Sequence, residues 1–357
     1  MTIREFAKLC GVSPATVSRY FSGGAGLSPA AAEKIQKQAE ALGYRPASRS
    51  RKARTDSRVF AVFTPVWRHC FFNDLLAHLE RLAASQGFQM MVFPSAVSDP
   101  SVYVPLLRAL SPMGALLFDE LADDPLAEIL HQEHIPSVMC AALSLNRYFP
   151  SVHVDDMAAA YDGANYLMRL GHKNIALISA KPQTISSGFQ RIMGCRKAME
   201  DAGLVLPDSH IVYSGSSFQD GYQGMNQLFD RELPISAVFT FSDDMAAGAL
   251  ISIQEHGYSV PDDISVLAFD NCTVSEETRP KLTTLSQPID LIAARSLELL
   301  CDYPETPESI TLRHSLVERD SCAAHTAPNR LEVLYESSAG YPSISDAHRR
   351  SAGSGTD

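Results

Sequence analysis

The feature that most constrains the fold is an alternation of short apolar runs with amphipathic stretches, which begins at Val59 and continues to residue 269. The apolar runs have the length of buried strands, and the amphipathic stretches have the length and spacing of helices. Because two parallel strands need a crossover between them, strands that alternate with helices indicate parallel sheets. The alternation restarts after residue 156, so we predict an α/β core of two doubly wound lobes with a cleft between them.

The predicted strands span residues 59–63, 88–94, 114–118, 137–141, 174–179, 211–215, 237–241 and 265–269. The predicted helices span residues 72–87, 102–110, 125–134, 157–172, 190–203, 221–229 and 245–257.

The composition is that of a soluble globular protein, with 45% hydrophobic and 20% charged residues. No apolar run has the length of a membrane span, and the N-terminus lacks the layout of a signal peptide, so we expect a cytoplasmic protein. The seven cysteines form no CxxC pair and no cluster with metal-ligand spacing, so we expect reduced thiols, no metal and no cofactor. The sequence motifs of serine hydrolases, P-loop proteins and zinc proteases are absent, and we expect no enzymatic activity, although an α/β core alone would permit one.

The charge is distributed very unevenly along the chain, whose formal net charge is −11. Residues 1–58 carry eleven Lys and Arg against four Asp and Glu, a net +7, and the remainder carries nineteen against thirty-seven, a net −18. A compact basic module on an acidic body is expected when one end of a protein binds phosphates and the other does not.

Three helix starts lie within the first 45 residues. Thr2 and Glu5 fit a capping box, while Ser13-Pro14 and Ser28-Pro29 each place a capping residue before a proline. The turn between the first two helices is about four residues long, as in a helix-turn-helix. We predict an all-α headpiece whose core contains Phe6, Ala7, Leu9, Val12, Val17, Ile35 and Leu42.

The outer side of the second helix is left with small and polar residues: Ser13, Pro14, Ala15, Thr16, Ser18 and Arg19. In a helix-turn-helix, the N-terminal residues of this helix meet base edges in the major groove. Arg19 can form a bidentate pair with guanine, and the short hydroxyls suit phosphate oxygens. A helical hairpin with a solvated face is an alternative that spacing alone leaves open, and the charge of +7 favours DNA.

Residues 2–46 resemble the headpiece of the LacI/GalR family nearly position for position, and the strings GVSPATVSR and LGYRP carry the resemblance. The resemblance implies that Pro14, Ala15 and Arg19 read bases. It also implies phosphate contacts from Thr2, Ser13, Thr16 and Ser18.

Residues 47–58 are polar and basic, and alone they indicate a flexible linker. In similar proteins this segment forms a hinge helix that wedges leucines into the minor groove. Arg51 matches the hinge arginine of the family, and Ala53 stands where the wedge leucine is expected. Because alanine cannot unstack a base step as leucine does, we expect weaker bending of the DNA.

Polar and aromatic residues follow several predicted strands: Trp67 to Phe72 after the first, Asp243 and Asp244 after 237–241, and Asp270 and Asn271 after 265–269. Ligands of such sheets bind outside the carboxyl ends of the strands. Carboxylates and aromatic rings there suit a sugar or another polyol. Each aspartate could instead be a helix N-cap.

Residues 59–324 resemble the sensing core of the same family, which is related to periplasmic sugar-binding proteins. Among the strings that carry this resemblance are AVFTFSDDMAAGALISIQEHGYSVPDDISVLAFDN and LVERDS. The resemblance places effector-binding residues at Phe72, Arg191, Ser242, Asp270 and Gln287. It departs at WRHCFF, at Cys140-Ala141-Ala142 and at Ser216, where the family often has an aromatic that Phe218 could replace.

We therefore predict a DNA-binding transcriptional regulator, most simply a repressor, controlled by a sugar-like effector in the cleft. The effector site comprises Trp67, Phe72, Arg191, Phe218, Ser242, Asp243, Asp270 and Gln287. We further expect a homodimer on a palindromic operator, and the unusual pocket leaves open a regulator that responds to a protein partner instead. The expected domains are a headpiece (1–46), a hinge (47–58), a two-lobed core (59–324) and a disordered tail (325–357).

Overall fold

The computed structural model describes residues 3–21, 28–42, 57–65, 69–95, 97, 99–118, 125–143, 148–180 and 186–338. Three helices form the headpiece: α1 (Ile3–Cys10), α2 (Pro14–Phe21) and α3 (Pro29–Leu42). The hydroxyls of Ser13 and Ser28 accept hydrogen bonds from the backbone N–H groups of Thr16 (3.1 Å) and Ala31 (3.3 Å). The predicted helix starts at Ser13-Pro14 and Ser28-Pro29 are confirmed, while Thr2, at the third predicted start, lies outside the described residues.

The headpiece core differs from the prediction at one position. Phe6, Ala7, Cys10, Val17 and Ile35 are buried together, whereas Leu9 is 57% exposed. Residues 6, 7 and 10 share one face of α1, and position 9 lies about 100° around the helix from the centre of that face. Cys10 therefore takes the place that we assigned to Leu9.

The sheet of the first lobe has six described strands. Numbered by their place among all strands of the chain, they are β1 (Val59–Thr64), β2 (Gln89–Pro94), β3 (Ala115–Leu117), β4 (Ser137–Cys140), β5 (Ser151–Val154) and β11 (Ser309–Leu312). Their order in the sheet is β11-β5-β4-β3-β1-β2, and all neighbours are parallel. The helices of this lobe are α4 (Cys70–Ser85), α5 (Tyr103–Leu110), α6 (Pro125–Gln132) and α12 (Ile289–Cys301), of which α12 packs on β4 and α4.

The sheet of the second lobe also has six strands in the described part of the chain. They are β6 (Ile175–Ser179), β7 (Ile211–Tyr213), β8 (Ala237–Thr240), β9 (Ser265–Asp270), β10 (Thr283–Ser286) and β12 (Ser315–Val317). Their order is β12-β10-β9-β8-β6-β7, and only β12 is antiparallel to its neighbour. The helices are α7 (Asp156–Arg169), α8 (Ser187–Asp201), α9 (Phe218–Asp230), α10 (Asp243–Glu255) and the short α11 (Val274–Glu277).

The strands predicted from the apolar runs are present in these two sheets, and the predicted pair of doubly wound lobes is confirmed. Runs such as SVLAFD in β9 are buried at every residue, because a central parallel strand is covered by helices on both faces. Each lobe has its own apolar core: one contains Phe239 and Phe269, and the other contains Phe60 and Phe118.

The two lobes are not simply consecutive along the chain. Within the described residues the chain passes between them three times: from β5 to α7, from β10 to α12, and from β11 to β12. All three crossings leave from the carboxyl ends of strands, so the carboxyl edges of the sheets lie beside the connections between the lobes.

The C-terminal segment corrects the predicted disordered tail over residues 325–338. The backbone N–H of His325 donates to the Leu170 carbonyl (2.7 Å), and the Asn329 side chain donates to the carbonyls of Ile235 (2.9 Å) and Asp263 (2.6 Å). Asn329 and Glu332 then form a reciprocal capping box that begins α13 (Arg330–Ser338). The N-x-x-E spacing of this capping box is visible in the sequence. Residues 339–357 lie outside the described residues.

Candidate DNA interface and ligand cleft

The outer side of α2 carries the side chains that we predicted for DNA contact. Ser13, Pro14, Ala15 and Arg19 are exposed, and Thr16 is half-buried. The hydroxyls of Ser13 and Thr16 lie 2.8 Å apart, so both already take part in the helix start. The side chain of Ser18 and the residues Thr2, Arg51 and Ala53 lie outside the described part, and their predicted contacts stay predictions.

Asp270 lies at the carboxyl end of β9, with a backbone φ of +111°. This conformation is rare for a residue other than glycine, and such residues concentrate at functional sites. The carboxyl group is buried, and its Oδ1 accepts a hydrogen bond from Gln287 Nε2 (2.7 Å). Its Oδ2 is buried without a hydrogen-bond partner among the described residues.

Burial raises the pKa of Asp270 well above its usual value, against the lowering effect of the nearby Arg191 charge. A buried acceptor without a partner is costly unless something else satisfies it. The free oxygen of Asp270 therefore marks a point in the second lobe where a ligand hydroxyl would be stabilised.

Arg191 lies on α8 and is held by three described groups. Its Nε donates to Asp156 Oδ1 (2.7 Å), its Nη1 donates to the Phe241 carbonyl (2.6 Å), and its guanidinium lies 3.6 Å from the centre of the Phe269 ring. Both members of the ion pair are buried, with side-chain exposures of 8% and 7%. The sequence prediction placed Arg191 at the cleft but did not identify Asp156, which lies just before the predicted helix 157–172.

Asp243 and Ser242 connect elements of the second lobe to one another. The Asp243 carboxylate accepts hydrogen bonds from the Cys272 N–H (2.6 Å) and the Thr284 hydroxyl (2.7 Å) and is completely buried. Ser242 caps α10 by accepting from the Met245 N–H (3.2 Å). The geometry gives both residues a structural role, and their predicted effector contacts stay predictions.

The first lobe contributes aromatic and hydroxyl side chains. Phe72 is buried near the start of α4 and stacks on Phe118, with ring centres 6.0 Å apart. Thr64 is the last residue of β1 and Ser95 follows β2, and their buried hydroxyls have no hydrogen-bond partner in the described part of the chain. Trp67 lies outside the described residues.

Two hydrogen-bonded contacts join the lobes across the cleft. The backbone N–H of Cys70 in the first lobe donates to Asp244 Oδ2 of the second (2.8 Å). Asp74 Oδ2 accepts from both the N–H (3.1 Å) and the hydroxyl (3.3 Å) of Thr273. The sequence analysis did not predict these contacts between the lobes, because the partners are about 170 to 200 residues apart and only the fold brings them together.

Comparison with known proteins gives the chain two matched domains. Residues 2–47 match the bacterial regulatory proteins of the lacI family, and residues 164–322 match a periplasmic binding protein-like domain. The HTH-type transcriptional repressor CytR of Escherichia coli is 32% identical over 306 residues, which cover 84% of this chain and 89% of CytR. The chain belongs to the LacI family.

Further LacI-family proteins match over similar lengths. Catabolite control protein A of Priestia megaterium is 29% identical, covering 90% of this chain and 99% of that protein. A structure of the transcriptional regulator CelR in complex with cellobiose has a TM-score of 0.69 at 26% identity and covers 90% and 99% of the two chains. A LacI-family regulator from Enterococcus faecium with bound ribose has a TM-score of 0.67 at 26% identity and covers 75% and 100%. This LacI-family chain is a DNA-binding transcriptional regulator.

The predicted effector residues of this LacI-family member fall into three groups. Asp270, Gln287 and Arg191 come together at the carboxyl edge of the second sheet. Phe72 lies on the facing lobe, and Asp243 and Ser242 serve the fold. Phe218 is the first residue of α9 and is 45% exposed, and its contact with an effector stays a prediction.

The described ranges of this LacI-family chain contain neither a membrane-spanning helix nor a metal cluster. Their helices include none with the length and apolarity to span a membrane, and their His, Cys, Asp and Glu side chains include no group of three placed to hold a metal ion. A cavity of about 430 Å³ is lined by residues such as Lys173, Pro234 and His325. These residues lie near the amino ends of β6 and β8, at the edge of the sheet opposite to Asp270.

Proposed function

We propose that this regulator is a homodimeric repressor whose affinity for a palindromic operator is controlled by a sugar or a related metabolite bound between the lobes. The observation that carries the proposal is the buried Oδ2 of Asp270, which has no described partner at the carboxyl edge of the sheet. The bound sugars in the CelR and Enterococcus faecium structures support the same class of effector for this chain.

On this proposal, Asp270 accepts a hydroxyl of the effector while Gln287 fixes the orientation of the carboxylate. The aromatic side chains of the first lobe, Phe72 and the predicted contact Trp67, supply apolar surface for the sugar ring. A ligand that contacts both lobes changes their relative stability in different orientations. The lobes can reorient about the three crossings, and this movement would be transmitted through residues 47–58 to the headpieces.

Arg191 connects the effector site to one of these crossings. Asp156, which accepts its hydrogen bond, is the first residue of α7, directly after the crossing from β5. A ligand that attracts or displaces Arg191 would therefore act on the connection between the lobes. The coupling must be reciprocal: an effector that weakens operator binding is itself bound more weakly by the operator complex, by the same factor.

On the DNA side, each headpiece would place α2 in the major groove of one half-site, with half-sites about one helical turn apart. Arg19, Pro14 and Ala15 are the proposed base-reading residues, and Ser13, Thr16, Ser18 and Thr2 the proposed phosphate contacts. The hinge contacts of Arg51 and the weaker DNA bending from Ala53 belong to the same proposal.

The DNA half of the proposal is tested by selection of binding duplexes from a random library with the intact chain. We expect enrichment of a palindrome, with affinity that falls steeply with salt because phosphate contacts release counterions. An Arg19→Ala variant should lose enrichment at defined base positions. Enrichment of no sequence at physiological ionic strength would contradict the proposal.

The effector half is tested by a thermal-shift screen of sugars and nucleosides against the parent chain and Asp270→Asn. A hit that stabilises the parent but not the variant supports effector binding in the cleft.

A protein partner as the regulatory signal was the alternative. The buried unpartnered carboxylate oxygen of Asp270 favours a small ligand, because a protein surface would not reach it.

A further inference from the structure

The buried ion pair of Asp156 and Arg191 determines how much positive charge the cleft offers to a ligand. Arg191 is the only Lys or Arg side chain that the described residues bury. A buried arginine at a ligand site is a strong anchor for phosphate or carboxylate, because its N–H groups form charge-assisted hydrogen bonds. In this cleft the Nε donor and the charge of Arg191 are already matched by the Asp156 carboxylate at 2.7 Å.

The other described charges near Arg191 are mainly acidic. Asp270 and Asp243 are buried at the same edge of the sheet, and Asp244 follows directly in the chain. The charge of Arg319 acts on the Asp243 carboxyl, and Arg319 is itself paired with Glu276 at 3.3 Å. The described cleft therefore has more carboxylates than cations, and no arginine there lacks an acidic partner.

We infer that Asp156 is a specificity-determining residue that makes the cleft accept uncharged polyhydroxyl ligands and reject phosphorylated ones. This inference rests on the proposed function for the location of the ligand, and it adds the charge class of the effector. A phosphate group entering the cleft would meet the acidic side chain of Asp270, and the described side chains there offer no cation without an acidic partner to compensate it. Unfavourable charge placement of this kind weakens binding by on the order of 100-fold.

The hydrogen bond between Asp156 and Arg191 allows Asp156 to be replaced by an uncharged side chain. An asparagine at this position keeps an oxygen that can accept the hydrogen bond from Arg191 Nε, but it removes the negative charge. The matched control is Asp162, on the same helix, whose side chain is 62% exposed and pairs with His314 at the surface. Comparison of Asp156→Asn with Asp162→Asn therefore separates the charge beside Arg191 from a general loss of one acid.

The first arm of the experiment uses inorganic phosphate alone, measured by titration calorimetry on the intact chain. We expect no saturable binding to the parent or to Asp162→Asn, and millimolar binding to Asp156→Asn that disappears in Asp156→Asn/Arg191→Gln. Binding by the parent that depends on Arg191, or no gain in Asp156→Asn with native circular dichroism, would overturn the inference. If Asp156→Asn does not fold, Asp156→Ser supplies the same comparison.

The second arm uses sugars paired with their phosphate esters: glucose with glucose 6-phosphate, and ribose with ribose 5-phosphate. We expect any binding by the parent to come from the uncharged member, and the ester to gain roughly 10-fold relative to it in Asp156→Asn. An ester that binds the parent as tightly as its sugar would overturn the inference and leave the proposed function standing. If a broad sugar panel neither binds nor alters operator affinity, the proposed function fails, while the phosphate arm still decides the charge inference.

Discussion

Replacement of Arg191 by methionine should destabilise the second lobe strongly, because it leaves the Asp156 carboxylate buried without its cation. Both side chains are at most 8% exposed, and the substitution also removes the 2.6 Å hydrogen bond to the Phe241 carbonyl. Loss of one partner from a buried ion pair costs about 3–5 kcal/mol of unfolding free energy, mostly from the charge left behind. We therefore expect a cost in this range for Arg191→Met.

The double variant Asp156→Asn/Arg191→Met tests the origin of that cost. Because asparagine removes the buried charge, the double variant should be more stable than Arg191→Met alone, with a coupling free energy of about 2 kcal/mol between the two sites. Urea unfolding followed by circular dichroism gives both values. The matched control is Lys197→Met on the same helix, whose ion pair with Asp201 is about half exposed and should contribute little to stability.

Two results would refute this reasoning. A cost below about 1 kcal/mol for Arg191→Met would mean that the Asp156 carboxylate finds water or another partner as easily as it finds Arg191. Additive effects of the two substitutions would mean that the ion pair contributes nothing beyond packing.

Three further predictions concern other parts of the chain. Burial raises the pKa of Asp243 to about 7 from an ordinary value of 3.8. The stability gained by protonating the folded form is therefore full below about pH 4 and is lost as the pH rises through 7. Melting temperatures measured over this range should fall with pH, and Asp243→Asn should flatten the fall. Asn329→Ala should lower the unfolding free energy measured in urea by about 1–3 kcal/mol, since it leaves two carbonyls without their donor and removes a helix cap. Leu334→Ala, on the exposed side of the same helix, should have little effect. Equal losses for the two variants would contradict the docking of α13. Arg19→Ala should weaken binding to the selected operator by roughly 10- to 100-fold and relax the preference at one base position. Lys37→Ala in α3 should weaken binding less, and to the same extent for every duplex sequence. Fluorescence anisotropy with single-base variants of the duplex measures both effects.

The sequence predicted the parts of the fold that local patterns determine. Uninterrupted apolar runs identified β1 to β4 and β6 to β9, and the Ser-Pro pairs identified the helix starts at positions 14 and 29. The sequence analysis did not predict β5 and β10, whose runs SVHV and TTLS are interrupted by polar residues, nor β11 and β12, because SITL and SLV are short, only partly buried and lie at the edges of their sheets. The return of α12 to the first lobe also depends on tertiary packing, which periodicity does not describe.

The candidate site was predicted in part for the same reason. Asp270 and Asn271 stand out because polar residues follow a buried strand. The partnership of Asp156 with Arg191 and the contact of Asp74 with Thr273 connect residues that are far apart in the chain, and the sequence gives no pattern for either. At Asp243 the position after a strand suggested a ligand contact, which stays a prediction; the sequence did not show that its carboxylate accepts hydrogen bonds from Cys272 and Thr284.

The central claim is that a ligand at Asp270 controls the affinity of the headpieces for DNA. It is tested most directly by anisotropy titration of the selected operator with the intact chain, with and without a saturating concentration of the sugar that the screen identifies. We expect operator affinity to change by roughly 5- to 150-fold, and Asp270→Asn to bind the operator normally but show no change with the sugar. Equal operator affinity of the parent chain in the presence and absence of a sugar that demonstrably binds it would contradict the account.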